Sequence, residues 1–156
     1  MTTTVKVDAE TLKAGVEIYT AALEPVKPIE GLINSYTLQP YPVSCLKKSI
    51  ELGGNSLGLN PEDGPLVNIA LLGFWKNKTD DETVVGFMRS TIEAIQKMAE
   101  KKGTAMPYTF MNYSDTFQDP IGSYGEENKK KLQTVSGKYD PDGVFQKGVP
   151  GGWKLF

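Results

Sequence analysis

Residues suited to chemistry gather where Tyr108-Thr109-Phe110-Met111-Asn112-Tyr113 runs into Ser114 and Asp115, late in a chain of 156 residues. A phenol beside a carboxamide can donate hydrogen bonds to a substrate carbonyl or carry a proton, and neighbouring rings supply an apolar surface that strengthens such bonds. Read as a strand, the segment puts Tyr108, Phe110 and Asn112 on one face and Met111 with Tyr113 on the other. Aromatics packed into a core give the same pattern, and on the residues alone that plainer reading carries more weight. Asn34 with Tyr36, the lone polar Asn68, and the pair Phe74 and Trp75 are further positions of this kind.

Much other chemistry is excluded by composition. Without a single histidine, the chain cannot build a Ser-His-Asp or Cys-His nucleophile system, an HExxH zinc site or an imidazole proton relay. Cys45 is the only cysteine, so no intrachain disulfide or CxxC motif exists, and a reducing compartment fits. Seventeen Lys and Arg against nineteen Asp and Glu leave no positive surplus to hold phosphate backbones, so nucleic acid is not an expected partner. Met1 to Lys6 lack the apolar run of a secretory signal, and no window reaches the roughly 18 to 20 apolar residues that span a bilayer. The expectation is a soluble, cytoplasmic protein with no membrane and no metal, folded as one domain over residues 1–156.

The elements that must position these residues follow from periodicity. Asp8 caps a helix whose Leu12, Val16, Tyr19 and Leu23 recur at helical spacing until Pro25 and Pro28. Glu30 to Gln39 reads as a strand closed by Pro40 and Pro42, with Asn34 and Tyr36 on one face. Pro42 opens a short helix carrying Val43, Leu46 and Ile50, and Gly53 stops it. Pro65 to Trp75 is apolar on both faces and reads as a central, doubly covered strand. Thr79 and Glu82 form a capping-box pattern before Val84, Val85, Met88, Ile92, Ile95 and Ala99, and Gly103 ends that longest helix. A strand from Pro107 to Tyr113, a helix near Glu126 to Val135 and a tail rich in Gly, Pro and Lys complete the chain. So small a sheet leaves edges to protect, and a homo-oligomer such as a dimer is the expected remedy.

Other motifs have plainer readings. Gly53, Gly54 and Gly58 follow a helix, where a dinucleotide-binding loop follows a strand, so they terminate and turn the chain. Lys129, Lys130 and Lys131 beside Glu126 and Glu127 make the solvated face of a helix. Asp140-Pro141-Asp142-Gly143 lacks the later ligands of a calcium loop and reads as a turn. Cys45 has no neighbouring base in sequence and reads as a packed thiol.

Seven segments carry a resemblance: LQPYP at 38–42, GGNSLGL at 53–59, DGPLV at 63–67, MNYSD at 111–115, QDPIGSYGEEN at 118–128, KYDPDGVFQ at 138–146 and VPGGWKL at 149–155. From about Tyr36 to Phe156 the sequence resembles the C-terminal part of fungal FAD-linked oxidases of the berberine bridge enzyme-like family. The resemblance implies an α+β fold, a small antiparallel sheet backed by helices, and a C-terminal segment that packs on a flavin domain. It also implies that Asn112 and Tyr113 lie near flavin and substrate, where in several members the tyrosine serves as a base. Serving as a base requires a lowered phenol pKa, whereas donating a hydrogen bond requires no shift. The family's flavin-binding domain, with the histidine that tethers FAD, has no counterpart in these residues.

Three functions are therefore expected. The first is a cofactor-free cyclase, pericyclase of Diels-Alder type or isomerase acting on a small apolar intermediate of fungal secondary metabolism. Tyr36, Phe74, Trp75, Tyr108 and Phe110 would wall such a site, with Asn34, Asn68, Asn112 and Tyr113 as donors. The second is a substrate domain or subunit of an FAD-dependent oxidoreductase, its FAD held with a partner chain. The third is a non-catalytic protein that binds an apolar metabolite.

Overall fold

β-Branched residues open the chain, and their restricted side-chain rotamers suit an extended pleat. The computed structural model describes residues 1–156 and places these residues in strand β1 (Thr2–Lys6). The Asp8 carboxylate then accepts the Thr11 backbone N–H at 2.7 Å and starts helix α1 (Ala9–Leu23), an N-cap of the kind that contributes about 1 kcal/mol. Strand β2 (Ile33–Tyr41) and helix α2 (Val43–Glu51) follow, then β3 (Leu66–Phe74), α3 (Asp81–Lys102), the short β4 (Ala105–Met106) and α4 (Glu126–Tyr139). The strands pair antiparallel in the order β2-β3-β1-β4, which makes the fold α+β. No helix is long and apolar enough to cross a membrane.

One face of the sheet is closed by helices. Val5, Val67 and Ile69 pack on Ile95 and Ala99 of α3, with Leu12 and Ile18 of α1 alongside. Leu71 meets Val84, Phe87, Met88 and Ile92. The buried residues of α3 recur every three or four positions, so one stripe of the helix faces the sheet, and Gly103 ends it in the left-handed conformation at φ 69°. Helix α1 approaches β2 closely enough that a Cβ on Gly15 would lie 2.6 Å from the Tyr36 hydroxyl oxygen.

The opposite face carries Thr2, Thr4, Leu66, Asn68 and Ala70, all buried, in register with Thr37, Gln39 and Tyr41 of β2. It is covered at one end by a second cluster in which Leu46, Leu59 and Leu66 pack with Tyr108 and Tyr124. At the other end Ile33 is 68% and Phe74 70% exposed, and the two lie opposite each other in the ladder. The expected double covering of β3 therefore holds only as far as Leu71.

Three further expectations are corrected. The strand from Pro107 to Tyr113 does not form: β4 ends at Met106, and Pro107, lacking an N–H, cannot continue the ladder. The chain leaves the sheet there, and Met111–Tyr113 is a 3₁₀ turn. The capping box of Thr79 is absent too, because Thr79 lies within a preceding 3₁₀ turn, Lys78–Asp80, and Asp80 takes the N-cap position without a side-chain bond. Cys45 is exposed, since only Leu46 of α2 is buried and adjacent helical positions point about 100° apart. Sequence periodicity marks no strand before Asp8, yet β1 fills an interior position of the sheet.

Candidate functional site

The site starts from polar side chains on the less covered sheet face. Asn68 donates the two hydrogens of Nδ2 to the Thr4 hydroxyl (3.1 Å) and the Thr3 carbonyl (3.2 Å). Its Oδ1 accepts from the Thr2 hydroxyl at 2.8 Å. Every polar atom of this buried amide is occupied, so Asn68 locks β3 to β1 and has no donor left for a ligand. Next to it across the ladder stands Gln39, whose Nε2 donates to the Tyr113 hydroxyl at 3.0 Å.

Tyr113 reaches that point because the turn before it is held from several sides. Ser114 Oγ donates to the Phe110 carbonyl at 2.9 Å, and the Trp153 indole donates to the Met111 carbonyl at 3.3 Å. Gln118 clamps the same loop to β1: its Nε2 donates to Thr2 O at 2.7 Å and its Oε1 accepts Thr2 N–H at 3.1 Å. The strap that carries Trp153 is itself anchored. Gln146 Oε1 accepts the Leu155 N–H at 2.9 Å, and Asp140 accepts the N–H groups of Val144 and Phe145 at 2.7 and 3.0 Å. The DPDG turn and the PGGW segment thus form a brace behind the Asn112-Tyr113 turn.

Aromatic rings surround this position unequally. Phe110 meets Tyr113 edge to face at 5.0 Å. Tyr108, 2% exposed, stacks on Tyr124 at 5.9 Å and stands T-shaped to Tyr41 at 6.0 Å. Burial pushes the phenols of Tyr41, Tyr108 and Tyr124 above the usual tyrosine value, so these three stay protonated and serve as packing.

The structure separates the remaining candidates. Asn112 is exposed on the turn beside Tyr113. Asn34 and Tyr36 lie on the helix face, where the Tyr36 ring contacts Tyr19 at 5.2 Å and burial raises its phenol to about 12. The Asn34 amide atoms and the Tyr36 hydroxyl are buried without partners. The Trp75 indole donates to Asp81 at 2.6 Å and so ties β3 to the start of α3. Phe74 shares the face of Tyr113 but sits at the far, open end of the sheet. Only Asn112, Tyr113, Phe110 and Tyr108 are brought together. Sequence reasoning missed Gln39, Gln118 and Trp153; strand alternation aligns Gln39 with Tyr41, but only the register beside Asn68 reveals its position under Tyr113.

Residues 109–148, which contain this turn, its loop and the brace behind it, match the family model described as berberine and berberine like. Over 118 residues the chain is 41% identical to the FAD-dependent monooxygenase FUP4 of Fusarium proliferatum (strain ET1), a stretch covering 76% of this chain and 23% of that protein. Residues 109–148 thus carry a region similar to the berberine and berberine-like family. It is also 32% identical over 155 residues to the FAD-dependent monooxygenase drtC of Aspergillus calidoustus, covering 96% of the chain and 29% of that protein. A third relative, the bifunctional solanapyrone synthase of Alternaria solani, is 32% identical over 117 residues, 75% of the chain and 22% of that protein. The chain spans about a quarter of the length of the curated relatives it matches. No solved structure matches it.

The names of these relatives raise the question whether the residues present fit an FAD. A dinucleotide needs backbone N–H groups or free cations for its phosphates. The largest cleft, about 460 Å³, is lined by Glu93 and Asp119, whose charge repels phosphate. A cavity of about 420 Å³ near the C-terminus holds Lys147 and Lys154. Their ammonium groups donate to the carbonyls of Asp142, Phe145 and Val149. Taken alone, these residues do not cradle a flavin, and none of the four cavities is lined by Tyr113.

Proposed function

We propose that this chain is the substrate-side portion of an FAD-dependent oxidoreductase of fungal secondary metabolism, its flavin held by polypeptide outside these residues. The observation that carries the reading is that Tyr113 lines none of the cavities of this chain. Enzyme sites enclose most of a ligand's surface, and excluding water is what gives a positioned donor its strength. Here a braced phenol, a supporting amide and an aromatic edge stand together with no enclosed cavity of the chain around them. Tyr113 would donate its proton in a hydrogen bond to a substrate oxygen, Phe110 would contact the apolar part of the substrate, and the exposed Asn112 carboxamide would orient it.

A cofactor-free cyclase contained within this chain calls for a closed apolar cavity around a flexible substrate, and none of the four cavities is lined by Tyr113; the nearest, bounded by Ser114, Asp115 and Trp153, has one hydrophobic residue in its lining. The deciding experiment mixes the protein with FAD, alone and together with FUP4 from which the matched stretch has been deleted, and records the visible flavin bands. The expected result is no change with the chain alone and a perturbed spectrum in the three-component mixture. Unperturbed bands in both mixtures would overturn the proposal, as would turnover of polyene or polyketide intermediates by the flavin-free chain alone.

A further inference from the structure

We infer that Gln39 is a positioning residue that sets the direction of the Tyr113 hydrogen bond, a statement that rests on the reading of Tyr113 as the group facing substrate. Gln39 lies on β2 beneath the turn, in register with Asn68, and its Nε2 is 3.0 Å from the Tyr113 hydroxyl. An amide NH₂ only donates, so the phenolic oxygen accepts and the phenol's own hydrogen must point away from Gln39. Away from Gln39 is away from the sheet, toward the surface where Asn112 is exposed.

Asn68 cannot take this role, because its amide is consumed by Thr2, Thr3 and Thr4. Tyr41, Tyr108 and Tyr124, the other phenols on this side of the sheet, are packed among themselves. Gln39 is therefore the one side chain bonded to the Tyr113 hydroxyl, and the brace through Trp153 and Ser114 keeps the two in register. An amide donor beneath a phenol leaves it poised to donate to an acceptor oxygen of a ligand, such as a carbonyl, and a carboxylate at the same place would turn the phenol inward.

The direction of a tyrosine hydrogen bond is read from the Fermi doublet in its ultraviolet resonance Raman spectrum, which distinguishes an accepting from a donating phenol. Subtracting the spectrum of Tyr113→Phe from that of the intact protein isolates Tyr113 from the other tyrosines. The isolated doublet should show an accepting phenol. In Gln39→Met, of similar shape but without the donor, the accepting character should be lost. In Gln39→Glu the doublet should move to the donating side, while circular dichroism and the melting temperature confirm the fold of each variant. A Tyr113 doublet identical in the parent, Gln39→Met and Gln39→Glu would overturn the inference. These spectra need neither flavin nor substrate. An intact doublet response together with failed flavin reconstitution would sink the proposed function and leave the Gln39 contact standing.

Discussion

The two faces of one sheet are built on different principles. Against the helices, Val5, Val67, Ile69 and Leu71 are 0 to 6% exposed and meet complementary apolar residues of α1 and α3. On the other face the same strands present Thr2, Thr4, Asn68 and Gln39, and what covers them is a turn-rich segment held by side-chain hydrogen bonds. The helix face draws its stability from non-directional burial, which tolerates small shifts. The other face draws order from directional bonds, which fix atoms in place. A phenol that must meet a substrate at a set angle belongs on the second kind of surface, and Tyr113 is there.

The contrast breaks first at Leu71. It is fully buried between α3 and β1, and Leu71→Ala should cost about 3 kcal/mol, within the range for large-to-small changes in a core. Urea unfolding measures it directly. A loss below about 1 kcal/mol would mean that the helix face collapses around the gap and is looser than its burial suggests.

Asn68 comes next. Asn68→Leu keeps the approximate volume but strands the Thr4 hydroxyl and leaves the Thr2 hydroxyl only the Ile69 carbonyl. Unpaired buried groups make such a change cost about 2 kcal/mol. The same variant should detach the Gln118 clamp by loosening β1, visible as faster amide exchange at Thr2 than at Val67. Uniform exchange across both strands would argue against a directional lock on this face.

These residues also show how far the sequence could be read. Helical spacing in α3 and the unbroken apolar run of β3 were legible because one period dominates each, and Gly103 marks the helix end by its left-handed backbone. The segment from Pro107 to Tyr113 misleads because Tyr, Thr and Phe favour any half-buried surface, whether the chain lies within a sheet or across one. Strand β1 is short and weakly apolar, so its central place depends on pairings with β3 that only the fold supplies. Of the site, Asn112 and Tyr113 were legible through the resemblance. Gln39 was not, because its contact spans 74 positions in the chain.

A subtler distinction concerns Tyr36, on the helix face, whose hydroxyl is buried without a partner. Tyr36→Phe removes that unpaired group at almost constant shape and should leave stability unchanged or raise it by up to about 1 kcal/mol. The pH dependence carries the sign. Burial raises this phenol from 10.0 to about 12 in the folded chain. Below pH 10 it is protonated in both states and contributes no slope. Between about 10 and 12 the unfolded chain loses its proton first, so stability falls as pH rises. Tyr36→Phe should make that decline shallower without abolishing it, because Tyr41, Tyr108 and Tyr124 are shifted in the same direction. Parallel curves for the two proteins would show that the Tyr36 hydroxyl reaches water.

The smallest expected effect lies at the open end of the second face. Phe74 is 70% exposed beside Ile33 and Leu72, which are 68% and 38% exposed. Surface substitutions of this kind change stability by no more than about 0.5 kcal/mol, so Phe74→Ser should unfold at nearly the same urea concentration as the parent. Set against Leu71, three positions earlier in the same strand, the pair tests whether the two faces differ as described. Their side chains alternate across the pleat, one into the helices and one into water. Should Phe74→Ser cost more than about 1 kcal/mol, the ring would have to be packed in the free chain, and the contrast between a closed face and an open one would fail at its clearest point.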